Sequence, residues 1–213
     1  MRNKIIAGLG LVAALGGCPS SYAWVDDPFV LRARWLVVAP DDSSSEITEI
    51  GGTASVDTNI APEIDFTFFF TENVAAELIT AVTPHRARGN GTAAGNINLG
   101  QVILLPPTLT LQWHFLPRCV IDPYLGAGVN YTYFFGVDPG TVARHIEYES
   151  SWGGALQAGF NWNFTGNWHV NVDVKKIWID TTATVQLATP PIIMADIDID
   201  PWVYGVGIGY RFG

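Results

Sequence analysis

The stretch from Pro201 to Gly213, P-W-V-Y-G-V-G-I-G-Y-R-F-G, restricts the fold more than any other part of the chain. Its even positions are Trp202, Tyr204, Val206, Ile208, Tyr210 and Phe212, all bulky, with aromatic groups toward both ends. Its odd positions are Val203, Gly205, Gly207, Gly209 and Arg211. A β-strand sends alternate side chains to opposite faces, so one face is apolar and the other is nearly bare backbone plus one cation. A soluble sandwich would turn polar residues to water on its second face. Glycine there suits a crowded interior instead. Strands of transmembrane barrels have this layout: about 9–11 residues, apolar outward, aromatic at both interfaces.

Seven earlier segments repeat the pattern. They are Phe29 to Val38, Thr58 to Thr71, Val74 to Val82, Pro107 to Phe115, Pro123 to Phe135, Trp152 to Phe164, and a segment beginning at Trp168. Pro62 cannot donate to a ladder and predicts a bulge or a rim position. Beyond Lys176 the alternation is ambiguous, because Ile177 and Ile179 compete with Trp178, and a bulge is expected there. Residues 41–52, 83–100, 136–150 and 186–200 read as loops, the third with room for a short helix over 141–148. Glu72-Asn73, residues 116–122 and Thr165-Gly166-Asn167 read as turns. Long loops alternating with tight turns predict an all-β fold: an eight-stranded antiparallel transmembrane β-barrel with four long extracellular loops and short periplasmic turns. Closure is a physical requirement, since lipid offers nothing to pair with an open strand edge.

The compartment follows from the other end. Arg2 and Lys4, the apolar run Ile5 to Leu15, and small residues up to Ala23 form an export signal, so residues 1–23 are expected to be cleaved and residues 24–213 to form the barrel. Leu15-Gly16-Gly17-Cys18 offers a competing, lipobox-like processing site. Cleavage after Ala23 takes the formal charge from −9 to −11 and leaves Cys119 as the one cysteine, hence no internal disulfide. An acidic, aromatic-rich chain has no basic patch for nucleic acid.

Collecting the second faces places Arg32, Arg34, Lys175 and Arg211 inside with Glu63, Asp65, Glu77 and Asp173. Four cations and four anions can pair in a narrow lumen, and Lys175 is expected to meet Glu77 or Asp173. Half of a buried pair would be an uncompensated charge.

No catalytic constellation appears. His114 faces inward beside Gln112 and Thr110, which suits a lumen histidine satisfied by its neighbours. His85 and His145 fall in outer loops without a serine or aspartate at a telling spacing, so a lipid-modifying barrel enzyme is the weakest alternative. Asp196, Asp198 and Asp200 are read as solvated charges rather than a calcium site. No Cys/His metal spacing and no cofactor motif is present. The apolar pieces Val102 to Pro107 and Pro190 to Met194 are unusual for outer loops. They fit either a lid packed on itself or the mouth of an apolar binding funnel.

Leu105-Pro106-Pro107-Thr108, Pro123 to Thr132, Phe134-Phe135, Ser151-Trp152-Gly153, Asp180 to Ala183, Asp200 to Val203 and Gly209 to Phe212 together resemble the OmpW family of small outer-membrane proteins. The resemblance implies residence in the outer membrane of a Gram-negative bacterium. It also implies an apolar channel, entered from outside, that carries small hydrophobic molecules and releases them sideways. It favours the funnel, lined by Ile79, Leu104, Leu105, Pro106, Phe134, Ile192, Ile193 and Met194, above a charge-plugged lower lumen. The expected partners are the lipid bilayer and lipopolysaccharide, small hydrophobic ligands and the outer-membrane assembly machinery, with the protein a monomer. A structural anchor without transport is the alternative.

Overall fold

The computed structural model describes residues 27–41, 45–46, 53–92, 95–138, 143–187 and 192–213. The expected signal segment, residues 1–23, lies outside them. Fifteen strands follow in chain order: β1 (Phe29–Ala39), β2 (Ser45–Glu46), β3 (Thr53–Val56), β4 (Asn59–Phe69), β5 (Val74–Ala81), β6 (Thr83–Thr92), β7 (Gly95–Leu105), β8 (Thr108–His114), β9 (Ile121–Asp138), β10 (Ala143–Tyr148), β11 (Ser151–Thr165), β12 (Trp168–Ile177), β13 (Asp180–Leu187), β14 (Ile192–Asp198) and β15 (Trp202–Phe212).

Eight of them close a barrel. The order β11-β12-β15-β1-β4-β5-β8-β9 returns to β11 through a β9–β11 ladder, and every pairing is antiparallel. These are the eight segments read from the alternation. Strand β1 shows why: Val30, Arg32, Arg34, Leu36 and Val38 are buried while Leu31, Trp35 and Val37 are exposed. Belts of exposed aromatics mark two levels. Tyr133, Trp152, Trp178 and Trp202 sit toward the long-loop end, and Phe70, Phe115, Phe164, Trp168 and Phe212 sit toward the turns. Along β15 the steps from Trp202 to Phe212 cover roughly 33 Å at about 3.3 Å each. A tilt of about 40° reduces that to a height of about 25 Å, the apolar band of an outer-membrane barrel.

The expected loops differ. Strands β6 and β7 pair within the expected second loop, and β13 and β14 pair within the fourth, so strands continue above the barrel as a crown. Glycine, asparagine and charge are tolerated there because these strands stand outside the apolar band. Within the short helix considered over 141–148, residues 143–148 are instead strand β10, paired with β13, with Ile146 buried between exposed His145 and Glu147. The bulge expected after Lys176 is absent. Asp173, Lys175, Ile177, Ile179 and Thr181 all stay buried in one alternation, with Trp178 exposed among them. Pro62 causes no register shift against β1; it lies one position past the end of the β4–β5 ladder, at the rim. Cys119, expected to stand alone without a disulfide, is disulfide-bonded.

Candidate functional site

The inner face of the barrel is layered, and each layer follows from which residues fall on the inward parity. Nearest the turns, Val30, Phe69 and Ala75 form a small apolar cluster. The Arg211 guanidinium lies 4.1 Å over the Phe69 ring and its Nε donates to the Asp27 carbonyl at 2.7 Å. His114 sits between Phe69 and Tyr124, with ring centroids 4.8 and 5.0 Å away. Its Nδ1 is 2.6 Å from Asp122 and its Nε2 is 3.2 Å from Gln112 Oε1.

The middle layer is ionic. Arg32 Nη1 meets Asp65 at 3.1 Å and Glu77 at 2.6 Å. Arg34 joins Glu63 through Nε, and through Nη2 it reaches Glu77 at 2.9 Å and Asp65 at 3.0 Å. Gln112 and Gln157 donate to the second Glu77 oxygen at 2.9 and 2.6 Å. The Tyr124 hydroxyl and Gln157 each donate to Asp173 at 2.8 Å. Lys175 pairs closely with Asp173 and stands 4.0 Å from Glu63, so its partner is Asp173 rather than Glu77. Arg211, grouped with these charges by parity, belongs to the turn-end layer. Three cations therefore face Glu63, Asp65, Glu77 and Asp173 here, and amide and hydroxyl donors satisfy the surplus carboxylate. The arginines fit because β15 offers them glycine: Arg34 lies opposite Gly207 and Arg32 opposite Gly209. A Cβ at Gly207 would overlap the Ala33 carbonyl oxygen and approach Arg34 Cγ to 2.6 Å.

Above the charges the lumen turns apolar. Leu36, Val38, Ala81, Val102, Leu104, Phe134, Ala155, Ile177, Ile179 and Val203 form one buried cluster, with Val137, Tyr148 and Ile199 packed on it. Phe134 stacks on Tyr148 with centroids 5.4 Å apart. On one wall the transition is polar: Asn130 donates to Thr108, and Thr132 donates to Asn130. In the crown, burial holds the His85 imidazole below its ordinary range, opposed by the Asp57 carbonyl beside it, and burial pushes the Tyr148 phenol up.

Of the residues singled out from sequence, Leu104 and Phe134 come together as paired neighbours on β7 and β9. Ile79 is buried at the edge of the ionic layer, one step above Glu77 on the inner face. Leu105 and Pro106 are half-buried where β7 ends. Ile192, Ile193 and Met194 lie on β14, paired with Gln186, Val185 and Thr184, and their side chains are outside the described set. His85 and His145 are not brought together with a nucleophile among the described residues; His85 is buried against Asp57, and His145 is exposed. Sequence reasoning missed Tyr124 and Asp122. Tyr124 precedes the inward positions Gly126, Gly128 and Asn130 by the same two-residue step, which was the available signal. Asp122 was hidden by its place in an expected turn. The leucine, valine and alanine cluster was dispersed over too many strands to be seen as one site.

Comparison with known proteins agrees with this architecture. The model of the OmpW family matches residues 26–212. Outer membrane protein W of Escherichia coli is 34% identical over 218 residues, covering 100% of both chains. The dibenzothiophene metabolism operon protein PahQ of Pseudomonas aeruginosa is 28% identical over 201 residues, covering 92% of this chain and 94% of that one. The crystal structure of the outer membrane protein OprG from Pseudomonas aeruginosa superposes with a TM-score of 0.79 at 32% identity, covering 87% of this chain and 96% of OprG. The closed eight-stranded barrel is that of an outer-membrane protein of Gram-negative bacteria, and the chain belongs to the OmpW family.

Proposed function

We propose that the protein takes up small hydrophobic molecules passively from outside the cell, receiving them in the apolar upper lumen. The observation that carries this reading is the change of lining at one level: charge and amide below, aliphatic and aromatic side chains above. Burying apolar surface contributes about 25 cal/mol per Å², so partition into such a lining needs no energy source. The ionic layer beneath holds hydrated ions and polar solutes out, since its charges are already compensated by one another. A relative named for a dibenzothiophene metabolism operon supports an apolar aromatic cargo. In this reading the barrel works as a monomer. Its belts face lipid, its crown stands among lipopolysaccharide, residues 1–23 are removed on export, and the assembly machinery inserts the rest. It has no catalytic role.

The test is amide exchange and methyl NMR of the protein in phospholipid, with naphthalene as probe. Naphthalene should shift the methyls of Ile79 and Leu104 and slow exchange near Leu105 and Ile192, while leaving residues beside Asn167 unchanged. The upper cluster packs on itself, and that favours a second reading, a structural anchor without transport. Saturating naphthalene that moves no resonance above the ionic layer would select the anchor.

A further inference from the structure

Among the described residues, the wall above the barrel forks between β9 and β11. The β9–β11 ladder is regular from Ile121↔Trp162 up to Thr132↔Ser151. Above that level the β11 edge of β9 has no ladder, while its other edge runs on from β8 to β7, pairing Tyr133 with Leu105 and Phe134 with Leu104. The chain that returns toward β11 does not follow it. It enters as β10, which pairs with β13 instead. The link from β10 to β11 is tied to the same side, because Glu149 N donates to the Thr182 carbonyl at 3.1 Å and Thr181 Oγ1 donates to the Glu149 carbonyl at 2.7 Å. Among the described residues no ladder joins β9 to β10, and none joins β2 to β14. The crown is therefore two sheets, β2-β3-β6-β7 with the upper part of β9 and β10-β13-β14, standing over one apolar cluster.

We propose that these two sheets are the leaves of a gate over the apolar lumen, hinged at Thr132 and Ser151 and latched by Phe134 against Tyr148. The proposal rests on the uptake reading above. Among the described residues what crosses the fork is side chain: Phe134 of one leaf stacks on Tyr148 of the other, and Val137, Tyr148 and Ile199 pack on the buried cluster. Among the described residues, parting the leaves at the fork breaks no backbone ladder and separates the aromatic contact of Phe134 with Tyr148, while Asp41 N still donates to the Ile199 carbonyl at 3.2 Å on the far side of the crown. An apolar molecule entering the gap covers the two rings again, so opening is linked to the presence of cargo. A polar solute offers no such compensation, which makes the latch selective as well as mobile. Strand β9 is irregular just above the fork: Gly136 has φ of 59°, and the β7–β9 register shifts between Gln101 and Ile103. Tyr131 and Trp152 pack just below with tilted rings, centroids 4.8 Å apart, which braces the base of the fork while its arms separate.

The experiment pins the leaves together. Phe134→Cys with Tyr148→Cys, in full-length protein carrying Cys119→Ser, is joined by a short bismaleimide with a cleavable disulfide in its spacer. Entry of N-phenyl-1-naphthylamine into cells producing the protein is then followed by fluorescence. Joined leaves should reduce entry to the rate of cells lacking the protein, and cleaving the spacer should restore it. The same treatment of Arg86→Cys with Gln101→Cys, partners within one leaf, should change nothing. Equal entry with the leaves joined or released overturns the gate. Should the released protein carry no dye beyond the background of cells lacking it, the uptake reading fails on its own terms. The gate is then judged by spin labels at Asp138→Cys and Glu147→Cys, exposed positions on the two leaves. Naphthalene should lengthen or broaden the distance between them, and one unchanged narrow distance overturns the gate.

Discussion

Arg34 ties three of the carboxylates of the ionic layer together, with Glu63, Asp65 and Glu77 as direct partners and Asn171 accepting from Nη1 at 3.0 Å. Replacing it with methionine keeps the stem over Gly207 and removes the charge. Because the carboxylates left behind are buried, Arg34→Met should lower unfolding free energy by about 3–5 kcal/mol in urea titrations in phospholipid. Adding Glu63→Gln should recover part of that loss. A single-variant loss under ~1 kcal/mol would mean the layer is hydrated and its charges worth no more than surface pairs. The inward placement of this side chain was legible from parity alone, as it was for Arg32, Glu63, Asp65, Glu77, Asp173 and Lys175. Partners were not. Parity says which face a residue takes, but the height at which two strands meet is set by register, which separated Arg211 from the charges it was grouped with.

At the level of the strand, β8 shows the two faces most plainly: Thr108, Thr110, Gln112 and His114 are buried while Leu109, Leu111 and Trp113 are exposed. Leu111 is at mid-height, opposite Ala76 and Ala127. Leu111→Arg should therefore cost about 2–4 kcal/mol in folding into phospholipid, the penalty for a cation at the bilayer midplane. The unfolding midpoint checks it; an unchanged midpoint would take β8 out of the hydrocarbon. The barrel strands were legible because hydrocarbon enforces the period of two on one face. The crown strands were not, for the same reason turned round. In water neither face must be greasy, so T-P-H-R-A-R-G-N-G-T and D-T-T-A-T-V-Q-L pair in ladders without a hydropathy alternation. Residues 141–148 suited a helix by composition, yet β10 becomes a strand because β13 offers it an edge.

For the molecule as a whole, stacking an apolar layer on an ionic one predicts a barrel that is electrically quiet. Purified protein in planar bilayers should carry ion current far below that of a water-filled porin, and salt should not open it. Large, steady conductance would show that the ionic layer does not span the bore. The same layering bears on how the barrel is completed. Strand β15 joins the end of the chain to β1, and its glycines form the last flank laid against Arg32 and Arg34. Until that strand docks, both guanidinium groups remain open to solvent in any partly wrapped intermediate. Dehydration of the arginines and closure of the hydrogen-bonded ring then become a single event, so biogenesis ends in a cooperative step rather than a gradual zippering.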